Sequence, residues 1–469
     1  MATKSTDSLA DLVESKANLV DYFRNDTLAS HPRARGGLTP VPLEQSNWVD
    51  EQRAWRHSAV LFDQSHHMPE LFLTGPDSMK LLKRIGINSF ENFVPGRAKQ
   101  FVGCNPEGYT IGETLMYCHD HDDFELVSGM PLLNWVEYNA RQGRYDVTIR
   151  RDNHTAFNQS GRTKFRFGMD GPNAGKIFAE VIEGDLPAIK FFWTAKVRIA
   201  GCDVLALRHG MAGHQGVELS GRYEDGPVVR KALLEVGAKY DLRPGGTLSY
   251  FSAVSESGWM GSGFPAIFTS RELAEYRASL PADGWEASVQ LGGSFVAPKI
   301  EGYYVTPWDH DLGSRLKFDH DFIGRGPLER MSQEPHRIRR TLVWNKEDVT
   351  RVIASMFEPG PAYKMLRLPF ASYGYYQFDT VKTPGGEPAG LGTLCTYSAN
   401  EAKMFSLSML DPAHAEIGTE LVLTWGEPDG GSRKPHVERH RQTDIRVTVG
   451  EAPYSDVVSK IKRQMISST

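Results

Sequence analysis

Apolar and polar positions along this 469-residue chain follow two rhythms, one near 3.6 residues and one of 2. In residues 7–24, Leu9, Leu12, Val13, Leu19, Val20 and Phe23 recur near the helical period. This predicts one helix, capped by Asp7 or Ser8. Residues 30–42, SHPRARGGLTPVP, carry Pro, Gly and Arg with no period and predict a loop. Next, Glu70–Thr74 reads as a strand, Gly75-Pro76 as a turn, and Asp77 onward as a helix with Met79, Leu81, Leu82 and Ile85 inward. The same order returns at 165–182, with strand Phe165–Met169, turn Gly171-Pro172 and a helix from Ala174. Two such units about 96 residues apart suggest a duplicated α+β module. Between them, a hairpin should turn at Asn105–Gly108 and again at His119–Asp123.

Further on, 226–238 and 270–280 have helical spacing, whereas Thr247–Phe251 reads as a strand carrying Tyr250. A third Gly-Pro, Gly326-Pro327, closes this region. From Arg339 the pattern becomes short alternating strands with Gly-rich turns, predicting a small all-β barrel or sandwich over 336–469. Its last residues, IKRQMISST, should fray. The fold class expected is α+β, with 1–335 forming two α+β lobes and 336–469 the β-rich end.

Composition narrows the function. A net charge of −5 argues against a general nucleic-acid binder, which shows a basic face. The four cysteines are scattered with no C-x-x-C, so neither a disulfide framework nor a zinc site is expected, and a reducing cytoplasm fits. The first residues lack the continuous apolar core of a signal peptide, and no run is long enough to span a bilayer. His119–Asp123 (HDHDD) offers metal-ligand types but sits where two apolar strands must turn, so no metal is expected there. The same holds for Asp309–Asp311 and Asp319–Asp321.

Chemistry concentrates around RHGMAGHQGVELSGRY, residues 208–223. In the strand-like run Gly216–Leu219, Val217 and Leu219 would pack to one side and Glu218 would face the other. Such a carboxylate can accept the adjacent N–H and NH2 of a pterin-like ring, although an edge-strand glutamate facing water has the same pattern. His31, Arg33 and Arg35 make a basic loop, either solvated or folded over an acidic substrate.

These segments together resemble a known superfamily. LFDQSHHMPELFLTGPDSMKLL, HQGVELSG and KFDHDFIGRGPL are similar to signatures of the glycine-cleavage T-protein superfamily of folate-dependent methyl and aminomethyl transferases. Within it, NWVDEQRAWRHSAVLFDQSHHM, RHGMAG, SESGW, LGGSFVAPKIEGYYVTP and LTWGEPDGGSRKPHVE look most like tetrahydrofolate-dependent aryl O-demethylases. The resemblance implies three lobes around a folate channel, with tetrahydrofolate as methyl acceptor and a methoxylated aromatic acid as substrate. It carries the pterin-binding carboxylate onto Glu218 and the central tyrosine onto Tyr250. Gln64, His67 and Trp259 match further pocket positions, His67 as a proton relay and Gln64 and Trp259 beside the cofactor.

Two departures shape the expected substrate. Gly112 and Glu113 stand where aminomethyl transferases carry paired aspartates, which argues against glycine cleavage. Gly129 stands where vanillate-type demethylases carry a substrate-gripping arginine. A pocket opened at Gly129, with His31, Arg33 or Arg35 holding the carboxylate, would suit the extra methoxy group of syringate, giving 3-O-methylgallate. Vanillate and 3-O-methylgallate are the alternatives within the family. Another folate-dependent transferase and a non-catalytic folate binder are the rivals outside it. Neither a Gly-x-Gly-x-x-Gly motif in strand–helix context nor iron–sulfur cysteines support a flavin- or cobalamin-linked enzyme.

Overall fold

A computed structural model describes residues 7–27, 40–158, 160–210, 216–261 and 263–467. The first Gly-Pro unit lies in a five-stranded antiparallel sheet, ordered Ala98–Cys104, Thr110–Asp120, Asp123–Val127, Glu70–Thr74 and Thr148–Asp152. The second lies in a six-stranded sheet, ordered Leu242–Gly245, Ala59–Asp63, Lys164–Asp170, Gly216–Arg222, Cys202–Leu207 and Thr194–Ile199.

The two turns are built alike. Gly75 and Gly171 take φ of +130° and +125°, and each is pressed on the backbone of a neighbouring chain. Gly75 meets Asp146 and Val147 just before the Thr148–Asp152 strand, and Gly171 meets Ser58 and Ala59 at the head of the Ala59–Asp63 strand. A side chain at either place would force these segments apart, so glycine is the residue that lets each turn close. Helices Ser78–Ile85 and Ala174–Val181 follow, burying Leu81, Leu82 and Ile85 in one and Ile177, Phe178 and Val181 in the other. The duplicated module therefore extends to its contacts.

A closed antiparallel barrel runs Ile338–Trp344, Lys403–Leu410, Pro388–Ser398, Asp379–Lys382, Glu420–Trp425 and Thr443–Gly450. Its Leu407 and Met409 join a core that reaches back to Leu9, Phe23 and Phe264, so the barrel and the first sheet share apolar packing. Among the described residues no helix is long and apolar enough to cross a membrane.

Three expectations need correction. The predicted helix over 7–24 breaks after Ser15; Leu9–Ser15, capped by Ser8 through Asp11, is followed by Leu19–Asp21 and a wider turn at Tyr22–Asp26. Thr247–Phe251 is not a strand but the start of helix Thr247–Glu256. The β-forming side chains there yield to a stripe of small hydroxyls at helical spacing. Ser249 donates to Glu51, Ser252 accepts from Gln52, and Ser255 accepts from Thr396. Finally, the C-terminal residues expected to fray are helical as far as Ser467, in the helix Asp456–Ser467.

Candidate active site

Glu218 sits on an interior strand, paired on one side with Lys164–Asp170 and on the other with Cys202–Leu207. Val217 and Leu219 enter the core behind the sheet, while Glu218 and Ser220 face the opposite way and are also buried. The water-facing reading of Glu218 is thereby excluded.

Its environment is set by Arg166, two residues off register on the next strand. Arg166 Nη1 donates to Glu218 Oε1 at 2.6 Å and to the Tyr117 hydroxyl at 2.9 Å. Its Nη2 donates to Glu70 at 2.9 Å and to Glu125 at 2.7 Å. One buried guanidinium thus ties Glu218 to Glu70, Tyr117 and Glu125 of the five-stranded sheet, and Lys164 and His119 add further bonds to Glu125. Burial alone would raise the Glu218 pKa, but Arg166 and then His209 overcome it and bring the carboxyl down to about 2. Glu218 is therefore an anion at any working pH. Its second oxygen lies 3.5 Å from His209 Nδ1.

Gln64 lies beside it. The register partner of Glu218 is Gly168, and the Gln64 amide occupies the space a Cβ at Gly168 would need, at 3.0 Å. That buried amide interacts with the Tyr250 hydroxyl but makes no hydrogen bond of good geometry among the described residues, and neither does His67 Nε2. Buried polar groups left this way mark a place where something else bonds.

Tyr250 faces this group from its helix. Its ring meets His67 edge-on at 4.7 Å and Phe62 at 5.2 Å, and the three residues line one narrow cleft with Gly246 and Phe251. Burial, and next the charge of Glu218, push the Tyr250 phenol far above its ordinary range, so it is a hydrogen-bond donor throughout. Burial, and after it the neighbouring His154, His66 and Arg162, lower His67 to about 3, so its imidazole is neutral. His66 turns elsewhere, its Nδ1 lying 3.0 Å from Thr155 Oγ1.

Trp259 and Gly129 meet at a second point, Glu113. The Trp259 side chain and Gln100 hydrogen-bond to this buried carboxyl, and burial raises it to about 7. Gly129 is the N-cap of helix Met130–Arg141 at φ +68°, and a Cβ there would run into the Glu113 carbonyl. The backbone therefore demands glycine at 129, independently of any ligand. His31, Arg33 and Arg35 lie outside the described residues.

Arg166 and Glu113 are site residues that the sequence motifs do not single out. Arg166 had left a trace, as an arginine between Phe165 and Phe167 in a strand with both faces covered. Among the described residues no three potential metal ligands gather. Cys104, Cys118, Cys202 and Cys395 are all free thiols.

Residues 18–263 match the family described as the GCVT N-terminal domain. The chain is a member of the GCVT family. It is 43% identical over 451 residues to a syringate O-demethylase from Sphingobium sp. (strain NBRC 103272 / SYK-6), covering 96% of both chains. It is also 30% identical to a sesamin methylene transferase from Sinomonas sp. (strain No.22), covering 89% of this chain and 91% of that one. In solved structures, the glycine cleavage system aminomethyltransferase T from Bartonella henselae shares the fold, with a TM-score of 0.58 at 15% identity over 87% of this chain and 90% of that one.

Proposed function

We propose that this protein is a tetrahydrofolate-dependent O-demethylase that takes a methyl group from a methoxylated aromatic acid, syringate first. The observation that carries this reading is 43% identity, over nearly the whole length of both chains, to a syringate O-demethylase. The GCVT match supports the same chemistry, and so does the gathering of Glu218, Gln64, His67 and Tyr250 at one buried place.

The donor set suits a folate. Glu218 offers an ionised oxygen to the donor edge of a pterin, and the Gln64 amide, beside the Tyr250 hydroxyl, adds a donor and an acceptor. Trp259 would lie alongside, held by Glu113. When bound, tetrahydrofolate supplies the amine that accepts the methyl group.

The protein's own part is to hold the ether and to ease departure of its oxygen. An aryl ether leaves as a phenolate, and charge grows on that oxygen as the bond to methyl stretches. Tyr250, kept protonated by burial, donates a hydrogen bond to it in a site that excludes water, where such a bond is stronger than in solution. Neutral His67 packs against the Tyr250 ring, and can accept at one nitrogen while donating at the other. Anchoring both reactants replaces a chance encounter, which is worth roughly 7–11 kcal/mol of barrier when alignment is good. In this reading the substrate carboxylate falls to His31, Arg33 or Arg35. Four free cysteines agree with a reducing cytoplasm.

The test is direct. Purified protein with tetrahydrofolate is offered syringate, vanillate and 3-O-methylgallate, and 5-methyltetrahydrofolate and free phenol are followed. Folate-dependent release fastest from syringate is expected. Turnover of vanillate alone would overturn the syringate assignment, and no methyl transfer from any of the three would overturn the demethylase reading.

A further inference from the structure

The serines of helix Thr247–Glu256 are each hydrogen-bonded within the protein. Ser249 donates to Glu51 at 2.6 Å, Ser252 to the Ser249 carbonyl at 2.7 Å, and Ser255 to the Leu394 carbonyl at 3.3 Å. Thr247 differs. It is only 8% exposed, yet its Oγ1 has no hydrogen-bond partner among the described residues. The helix end makes no use of it either. The Gly246 N–H donates to Glu51, the Thr247 N–H to the Pro42 carbonyl and the Leu248 N–H to the Leu43 carbonyl. As the first residue of its helix, Thr247 also has no carbonyl of a preceding turn, which is where a threonine inside a helix commonly bonds. A buried hydroxyl left this way costs stability unless a ligand bonds it.

The hydroxyl stands at the active site. Thr247, Tyr250 and Phe251 share one helix face and line the cleft with His67 and Phe62. Residues so spaced lie about 5–6 Å apart at Cβ, the reach of two neighbouring substituents on one ring. The rings of Phe62, His67, Tyr250 and Phe251 suit the flat faces of an arene. Asp63 is a further wall residue, its Oδ1 accepting from the Ser65 N–H at 3.0 Å. An acidic wall opposes entry of an aromatic acid with its carboxylate foremost, so the phenol end goes in first.

We propose that the Thr247 hydroxyl binds the ring oxygen next to the departing ether, and so selects arenes with a free hydroxyl beside the methoxy group. The inference rests on the demethylase reading above, in which Tyr250 donates to the ether oxygen. The 4-hydroxyl of syringate is flanked by both methoxy groups, so it neighbours the reacting oxygen whichever methoxy is presented. Vanillate and 3-O-methylgallate carry the same adjacent pair. A threonine hydroxyl donates and accepts, so it can bond a phenol or a phenolate there.

Affinity for syringate and for 3,5-dimethoxybenzoate, which lacks only the 4-hydroxyl, is measured in the wild type, Thr247→Val and Thr247→Ser. It is read as KM, or as the competitive inhibition constant against syringate. Valine keeps the shape and removes the hydroxyl, whereas serine keeps the hydroxyl. The wild type should prefer syringate by about tenfold or more, and Thr247→Val should cut that preference by about tenfold. Thr247→Ser should restore most of it. Comparing preferences between proteins cancels the effect of the 4-hydroxyl on the reactivity of the ether. The folate dissociation constant should be unchanged, and Thr247→Val should melt no lower than the wild type, because the hydroxyl it removes bonds nothing in the protein.

An unchanged preference in Thr247→Val would overturn the contact and leave the demethylase reading standing. An equal loss on both acids would do the same, since it marks a role in shape alone. Wild-type protein that takes a methyl from neither acid in the presence of tetrahydrofolate would overturn both readings.

Discussion

Arg166 Nη1 lies 2.6 Å from Glu218 Oε1, and both side chains are closed to water. The pair joins the two sheets, since the same guanidinium also reaches Glu70 and Glu125 across the gap. Arg166→Met should leave three carboxylates without their shared cation. We expect a loss of roughly 3–5 kcal/mol in stability, read by denaturant unfolding. Adding Glu218→Gln should cost less in that background than in the wild type, because the two side chains interact directly. Strictly additive losses would show that the pair carries no coupling.

Tyr250→Phe keeps the ring against His67 and Phe62 and removes the hydroxyl. Turnover should fall by about 10²–10⁴-fold with the folate dissociation constant nearly unchanged. Because the buried phenol holds its proton far above the ordinary tyrosine range, the wild-type rate should show no alkaline decline from this group near pH 10. Normal turnover by the variant would reduce Tyr250 to a wall.

Glu113 gives stability a pH signature. Its carboxyl titrates near 7 in the folded protein, against an ordinary value of 4.5. Between those values the folded chain keeps a proton that the unfolded chain has released. Its contribution is therefore full below about pH 4.5, declines as pH rises, and is gone above about 7. The decline is on the order of 3 kcal/mol. Comparing unfolding at pH 5 and pH 8, Glu113→Gln should show a shallower loss than the wild type. An identical slope would mean that Glu113 is already ionised at pH 5.

Gly129 separates two explanations of one residue. Its φ of +68° and the Glu113 carbonyl at its back predict that Gly129→Ala costs about 1–3 kcal/mol in stability, seen as a lower melting temperature. Gly129→Arg should destabilise further without tightening any aromatic acid. A stable arginine variant with a lower KM for vanillate would instead make residue 129 a specificity wall.

Much of the architecture was legible in the chain. The Gly-Pro turns at 75 and 171 need a left-handed glycine, and the residues after them repeat every 3.6, so strand, turn and helix follow from local chemistry alone. The alternation of Val217, Glu218 and Leu219 likewise fixed which way the carboxylate points. Tyr250 was misplaced on a strand because Thr, Tyr and Phe favour one locally. The hydroxyls of Ser249, Ser252 and Ser255 show their helical stripe only against Glu51, Gln52 and Thr396, between 141 and 200 residues away.

What the sequence alone determined is therefore whatever depends on neighbours within a few residues: turns, periods, the facing of side chains and the motifs that resemble a family. The tertiary structure decided which charges meet. Glu70, Glu125, Arg166 and Glu218 are scattered over 149 positions, yet they form one buried group. The reason is physical. A carboxylate's pKa and partner are set by desolvation and by charges a few ångströms away, and those distances exist only once the two sheets have packed.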